Sequence, residues 1–145
     1  MKLIPVKERL EENREFNNPL YKEIVEMTID FYKRIGYVPP WIGYFVELNG
    51  EIVGSAGIKG KPVDGKIEIA YGTMEAFRHK GIARRICREL VELSLKTDPT
   101  ITITARALSE NNFSAKVLKR NNFVCTGMVN DPEDGDVWEW EYQKK

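Results

Sequence analysis

A strand-like run and an amphipathic helix, joined by a short basic loop, constrain the fold of this chain more than any other segment. Residues 66–73, KIEIAYGT, begin with alternating apolar and polar side chains, as a half-buried strand does. From Ile82 the apolar period becomes that of a helix, with Ile82, Ile86 and Leu90 on one stripe. A strand that leads through a short loop into such a helix predicts a mixed α/β domain.

The other segments predict further helices and strands. A capping Asn18, a proline after it and a terminating Gly36 indicate a helix. Asn49-Gly50 between two strand-like runs predicts a tight hairpin. A strand at 100–107, a short helix within 111–123 and a last hairpin complete the expected order. In the first helix, helical spacing predicts a core-facing stripe of Leu20, Ile24, Met27, Phe31 and Ile35.

Composition argues against several classes of protein. The 145 residues predict one domain, residues 1–145, and 22 basic residues balance 22 acidic ones, so neither nucleic acid nor membrane is an expected partner. Cys87 and Cys125 are far apart and predict buried, reduced thiols rather than a disulfide or a metal site. No apolar run suits a signal peptide or a membrane span, and we expect a cytoplasmic protein.

The basic loop raises a chemical question. Helix starts favour capping or acidic side chains, yet Arg78, His79 and Lys80 precede Gly81 here. A helix N-terminus binds anions through unpaired amides, and Gly81 and the small Ala83 would let a ligand approach the backbone. The loop therefore predicts a seat for a pyrophosphate. The alternative is a loop in which Gly81 merely turns the chain and the basic side chains are solvated.

Three motifs identify a family that this chain resembles. Arg78, Gly81 and Ala83 form an R-x-x-G-x-A signature between a strand and a long helix. Residues 111–123 resemble the segment N-x-x-S-x-x-x-L-x-K-x-G-F, with Arg120 in place of its lysine and Asn122 in place of its glycine. The ending VWEWEY is similar to a last strand of the same group. Together they resemble the GNAT superfamily of N-acetyltransferases, and within it the branch that acetylates the N-termini of ribosomal proteins.

The resemblance implies a fold and a co-substrate. The fold would be one mixed, mostly antiparallel central sheet with flanking helices and a splayed parallel pair of strands, 67–73 and 100–107. Acetyl-CoA would lie with its pantetheine arm in that gap, and no metal is expected. Tyr71 and Asn111 also have structural explanations that need no ligand: Tyr71 as an ordinary aromatic residue of a strand, and Asn111 as a helix cap. The implied acetyl-CoA-binding residues are Tyr71, Gly72, Thr73, Arg78, His79, Lys80, Gly81, Ile82, Ala83 and Asn111.

The catalytic residues are less well defined. Leu118 stands where many family members have a tyrosine that protonates the departing thiolate, and Ser114, one turn earlier, is either its substitute or structural. Glu68, facing away from Ile67 and Ile69, is either the general base or a solvated strand residue. Glu47 and Glu75 are weaker candidates for the base, and the place of His79 in the basic loop argues against that role.

The resemblance implies an N-acetyltransferase that moves an acetyl group from acetyl-CoA to a primary amine, and we expect direct transfer in a ternary complex. The acceptor is expected to be a protein or peptide N-terminus or a small metabolite, and a homodimer is left open. Two alternatives remain: a non-catalytic acyl-CoA-binding module, and an interaction domain that uses the VWEWEY strand. Four aromatic residues either line the acceptor pocket or cap the core, namely Tyr37, Trp41, Tyr44 and Phe45.

Overall fold

The fold is built on one seven-stranded sheet. The structure, a computed structural model, describes residues 1–109 and 112–144. Its strands are β1 Lys2–Pro5, β2 Gly43–Leu48, β3 Glu51–Ile58, β4 Lys66–Thr73, β5 Thr102–Ala107, β6 Phe123–Asp131 and β7 Gly135–Tyr142. The α-helices are α1 Pro19–Ile35, α2 Ile82–Thr97 and α3 Phe113–Arg120, and short 3-10 helices occupy Leu10–Phe16 and Glu75–Phe77.

The sheet contains the splayed parallel pair. Its strand order is β1-β2-β3-β4-β5-β7-β6, and β4 and β5 run parallel while the other described pairs are antiparallel. The β4–β5 register runs from Lys66↔Thr102 to Ile69↔Ala105 and stops there, although β4 continues to Thr73 and β5 to Ala107. The two strands therefore separate beyond Ile69. The expected fold class is confirmed.

Helix α2 packs tightly on β3 and β4 because of one glycine. Ile86 and Leu90 are fully buried against the sheet. A Cβ at Gly54 on β3 would collide with the carbonyl oxygen of Gly72 and would stand 2.9 Å from Ile86 Cδ1. Gly54 thus permits the close approach of helix and strand that brings the start of α2 beside the splayed end of β4.

The α1 helix has the predicted ends, but the predicted face is buried only in part. Asn18 caps it through a 3.0 Å hydrogen bond from the Leu20 amide, and it ends at Gly36. The stripe from Leu20 to Ile35 faces the core only in part: Ile24 is half-buried against it, whereas Leu20 is 55% exposed and Met27 is 65% exposed. Val25 and Tyr32 are buried instead, against Phe45 and its neighbours. The Tyr32 hydroxyl also donates to the Val6 carbonyl at 2.8 Å, which fixes this rotation of the helix.

Two elements at the start of the chain were not predicted from its sequence. Strand β1 has four residues and pairs antiparallel with β2. The 3-10 helix that follows buries Phe16, whose ring lies 4.2 Å from that of Phe45 between centroids. Both elements complete the smaller of the two hydrophobic clusters, on the α1 side of the sheet. No helix in the described ranges is long and apolar enough to cross a membrane.

Candidate functional site

The start of α2 has the geometry of an anion seat. Gly81 is the N-cap residue, has φ +73° and offers no capping side chain. Within the described part of the chain, the amides of Ile82, Ala83 and Arg84 donate to no backbone or side-chain acceptor. A Cβ built on Gly81 meets no atom within 4 Å, so the space in front of these amides is open. Free amides and the positive end of the helix dipole favour an anion at this point.

A cleft, here called the helix cleft, extends from this seat along β4 and holds about 410 Å³. The Thr73 hydroxyl oxygen is buried at this end of β4 and has no hydrogen-bond partner among the described residues. Phe113, 62% exposed, lines the cleft from the start of α3 and was not anticipated. The cleft is lined by Tyr71, Gly72, Thr73, Phe77, Arg78, His79, Gly81, Ile82, Ala83, Phe113, Ser114 and Val117.

Most of the expected acetyl-CoA-binding residues line this one cleft. Lys80 is outside the lining, and its Nζ lies 5.8 Å from the centroid of the Phe77 ring. Asn111 lies outside the described residues. The cap of α3 is its neighbour Asn112, whose side chain accepts a 2.9 Å hydrogen bond from the Ala115 amide.

Tyr71 has its phenol beneath α2. Its hydroxyl donates to the Cys87 thiol, and burial raises the pKa of Tyr71. Burial also raises the pKa of the Cys87 thiol, to about 12, against the opposing effect of the Tyr71 hydrogen bond. Both groups therefore stay protonated at neutral pH. Cys125, the other free cysteine, is partly exposed on β6, so the expectation of two buried thiols holds only for Cys87.

A smaller cavity, here called the splay slot, opens where β4 and β5 separate and holds about 180 Å³. Ser114 lines both the splay slot and the helix cleft. Leu118 lines the slot as well and is almost fully buried. The complete lining is Lys59, Glu68, Ile69, Ala70, Tyr71, Ala105, Arg106, Ser114, Leu118, Asp131 and Asp134.

The carboxylates of the slot differ in what engages them. Glu68 lies 2.7 Å from Lys59 Nζ and 3.5 Å from Arg106 Nε, so two cations hold it. Asp131 accepts from Arg106 and from two backbone amides of the β6–β7 turn. In the described part of the chain no group forms a hydrogen bond or ion pair with the Asp134 carboxylate. Glu68, the expected general base, is therefore engaged by two cations, and its role as the base stays a prediction.

The exposed stripe of α1 lines a third cavity, here called the α1 chamber, of about 470 Å³. This cavity explains why part of that stripe is not buried in the core. Tyr44 lines the chamber while its body packs in the core, whereas Trp41 and Phe45 only fill the core. The lining is Ile24, Met27, Thr28, Phe31, Tyr32, Arg34, Gly43, Tyr44, Ser55, Ala56, Gly57, Ile58, Lys59, Ala70, Tyr71, Gly72 and Glu133.

The three cavities share lining residues on β4. Tyr71 lines all of them, and Gly72 lines both the helix cleft and the α1 chamber. A ligand in the cleft and a second ligand in the chamber would therefore approach each other at these two residues, where β5 has already left β4. No group of three or more metal-ligating side chains occurs in residues 1–109 and 112–144.

Residues 9–124 match the family described as Acetyltransferase (GNAT) domain. The chain belongs to this GNAT family. A curated relative from Bacillus subtilis (strain 168), the uncharacterized N-acetyltransferase YjdG, is 35% identical over 77 residues, which are 52% of this chain. That match spans 46% of the relative, so this chain corresponds to about half of its length.

Solved structures share the GNAT fold. RimL, a ribosomal L7/L12 alpha-N-protein acetyltransferase in complex with coenzyme A, is 18% identical, with 96% of this chain and 91% of that chain covered and a TM-score of 0.68. A chimera of spermidine N-acetyltransferase SpeG from Vibrio cholerae and hSSAT is 15% identical over 98% and 95%, with a TM-score of 0.69. Aminoglycoside acetyltransferase AAC(6')-Ib with ribostamycin and coenzyme A is 20% identical over 99% and 92%, with a TM-score of 0.69.

Proposed function

We propose that this GNAT chain is an acetyl-CoA-dependent N-acetyltransferase that acetylates a primary amine by direct transfer in a ternary complex. The observation that carries the proposal is that Tyr71 and Gly72 line both the helix cleft and the α1 chamber. A thioester in the cleft and an amine in the chamber would react there without a covalent enzyme intermediate. Holding two reactants in this way accounts for a large part of catalysis in such a reaction.

Several features of the helix cleft fit coenzyme A. Its pyrophosphate suits the free amides that follow Gly81, and Arg78 and His79 add donors around the same point. Thr73 offers a buried hydroxyl that lacks a partner in the described chain, which an amide of the pantetheine arm would supply. Gly72 and the splayed end of β4 leave backbone open to the same arm. When bound, acetyl-CoA supplies the activated acetyl group.

The chemistry demands little acid or base catalysis. The amine nitrogen attacks the thioester carbonyl, its surplus proton is lost, the C–S bond breaks and the thiolate is protonated. An α-amine of pKa ~8 costs about 1 kcal/mol to deprotonate at pH 7, and a lysine amine of pKa ~10.4 costs about 4.6 kcal/mol. A thiolate of pKa ~8.5 leaves readily. We assign its protonation to Ser114, which lines both the cleft and the slot, because Leu118 has no proton to give.

The thiols support direct transfer. A ping-pong route needs a thiolate at the thioester, but the Cys87 thiol is buried, hydrogen-bonded to Tyr71 and has its pKa raised to about 12. Cys125 lines none of the three cavities. We assign the loss of the amine proton to Asp134, through water where needed. Among the carboxylates that line the splay slot, it is the one that no described residue engages.

Binding and turnover test the proposal separately. Calorimetric titration with coenzyme A should show binding, and acetyl-CoA should release thiol when amines from a broad panel are added. Initial rates with both substrates varied should give intersecting double-reciprocal lines, whereas parallel lines and an acetylated Cys87 or Cys125 would refute direct transfer. Binding without turnover across the panel would indicate a non-catalytic acyl-CoA module. No binding at millimolar coenzyme A would overturn the assignment itself.

A further inference from the structure

The wall of the α1 chamber is apolar where it is most accessible. Ile24, Met27 and Phe31 lie on one face of α1 and line it, and Met27 is 65% exposed although it is a large apolar residue. Small residues form the opposite floor, among them Ala56 and Ala70. An apolar wall facing a roomy cavity is typical of a site that takes an apolar group from its ligand.

The hydroxyl groups of the chamber are mostly occupied within the protein. Tyr32 donates to the Val6 carbonyl at 2.8 Å, Tyr44 donates to the Pro40 carbonyl at 2.6 Å, and Thr28 donates to the Ile24 carbonyl at 2.7 Å. Their protons are not available to a ligand. A sugar-like acceptor, which needs many polar partners, would lose hydrogen bonds to water without regaining them here.

The charged groups of the chamber are paired as well. Arg34 Nη1 lies 3.4 Å from Glu133, and Lys59 Nζ lies 2.7 Å from Glu68 in the adjoining splay slot. The lining thus holds two cations and one acid, and that acid already has a partner. A second ammonium group on the acceptor would find no free carboxylate in the lining of the chamber, so it would lose hydration without gaining an ion pair.

One hydroxyl is left for the reacting amine. Ser55 on β3 lines the chamber, and its side chain has no hydrogen-bond partner in the described ranges. It pairs in register with Gly72, and its Oγ would lie 4.0 Å from a Cβ built on Gly72. A neutral amine that donates one N–H to Ser55 Oγ would keep its lone pair free, directly beside a β4 residue that lines both the helix cleft and the α1 chamber.

We infer that the acceptor is a monoamine on an apolar body, held through the body by Ile24, Met27 and Phe31 and through the amine by Ser55. This rests on the proposed function and specifies its substrate class. A small aralkylamine and a peptide N-terminus with an aromatic first residue present the same chemistry. Polycations and amino sugars are excluded as preferred acceptors by the paired charges and hydroxyls of the chamber.

Acetylation of matched amines tests the inference. With acetyl-CoA fixed, kcat/KM is expected to be at least about tenfold higher for phenethylamine than for cadaverine, since a second ammonium lacks a partner. A phenylalanyl dipeptide amide in the same assay distinguishes a peptide acceptor from a free amine. Met27→Ser should lower kcat/KM for phenethylamine about three- to tenfold, and Ser55→Ala about fivefold. Met27→Glu should shift preference towards cadaverine.

Met128→Ser is the matched control, because Met128 is 54% exposed on β6 and lines none of the three cavities. It should leave kcat/KM unchanged. Better use of cadaverine or spermidine than of phenethylamine by the native chain, or no effect of Met27→Ser, would overturn the inference. If no amine is acetylated, the proposed function fails, and the inference about the acceptor is then tested by binding alone. Saturation-transfer NMR should still show phenethylamine bound to the native chain, and Met27→Ser should weaken that binding. Absence of the signal with the native chain would contradict the inference.

Discussion

Arg106 on β5 donates a 2.7 Å hydrogen bond to the Asp131 carboxylate at the end of β6. The other oxygen of that carboxylate accepts from the amides of Glu133 and Asp134, at 2.8 and 3.1 Å. The interaction therefore connects the strand that borders the splay slot to the β6–β7 turn. This turn carries one acid that lines the α1 chamber and one that lines the slot, so the Arg106–Asp131 pair positions both.

Replacing Asp131 should therefore lower the stability of the fold at neutral pH more than at acidic pH. The Arg106 hydrogen bond, helped by the two turn amides, lowers the pKa of Asp131 from 3.8 to about 2. A lowered pKa stabilises the fold above pH 4, and this contribution is lost as the pH falls towards 2. Urea unfolding of Asp131→Asn should show a lower midpoint than the native chain at pH 7 and a smaller difference at pH 2.5. Asp136→Asn, on the same hairpin, is the control, and an equal difference at both pH values would contradict the prediction.

A side chain at Gly81 should block the helix cleft. Gly81 and Gly65 both have φ +73° and open space around a built Cβ, but only Gly81 lines the cleft. Valine at either position should cost about 1–2 kcal/mol of unfolding free energy from backbone strain. Gly81→Val should also weaken coenzyme A binding at least about tenfold, because the side chain stands in front of the α2 amides. Calorimetry on both variants measures this, and an equal loss of affinity in Gly65→Val would assign the effect to strain.

Because the Cys87 thiol is buried, we expect the fold to lose stability at alkaline pH. Burial raises the pKa of Cys87 from 9.0 to about 12, so its contribution is complete below pH 9 and is lost as the pH rises towards 12. Replacing it with alanine should flatten this part of the stability profile, whereas Cys125→Ala should not. Iodoacetamide at pH 8 should label Cys125 and spare Cys87 in the folded chain. Rapid labelling of Cys87 without unfolding, read by mass spectrometry, would show that the thiol is more accessible than its burial indicates.

Local sequence signals predicted the elements that depend on local physics. Asn49 and Gly50 adopt φ +54° and +82°, as the primed hairpin turn requires, and β4 has the predicted bounds. The buried face of α1 was predicted only in part, because two apolar stripes interleave on that helix and Ile24 alone of the named stripe packs against the core cluster on that side. The choice between them depends on Phe45 and Val6, which are distant in sequence. The four-residue β1 is too short to give a periodic signal.

The candidate site divides in the same way. The basic loop could be read from sequence because a helix start and a glycine are adjacent in the chain. The partners of Glu68 could not be predicted from sequence. Lys59 follows a different strand, β3, and Arg106 reaches Glu68 only across the parallel pairing of β4 and β5. Ser55 gave no signal at all in sequence, because a serine within a strand acquires meaning only from the cavity that it faces.

Glu68 and Asp134 differ in the pH dependence expected when each is replaced. If Asp134 takes the amine proton, Asp134→Asn should lower kcat/KM at least about tenfold at pH 7 and less at pH 9, where more of the amine is already neutral. Glu68→Gln leaves Lys59 and Arg106 with less compensating charge, so it should lower stability and reduce kcat/KM by a factor that does not vary with pH. The pH–rate profiles of the two variants, with Asp136→Asn as control, separate these roles. If instead Glu68→Gln, and not Asp134→Asn, lowers kcat/KM more at pH 7 than at pH 9, the general base is Glu68. Replacing the group that accepts the proton has its largest effect on kcat/KM at the pH at which the amine is still protonated.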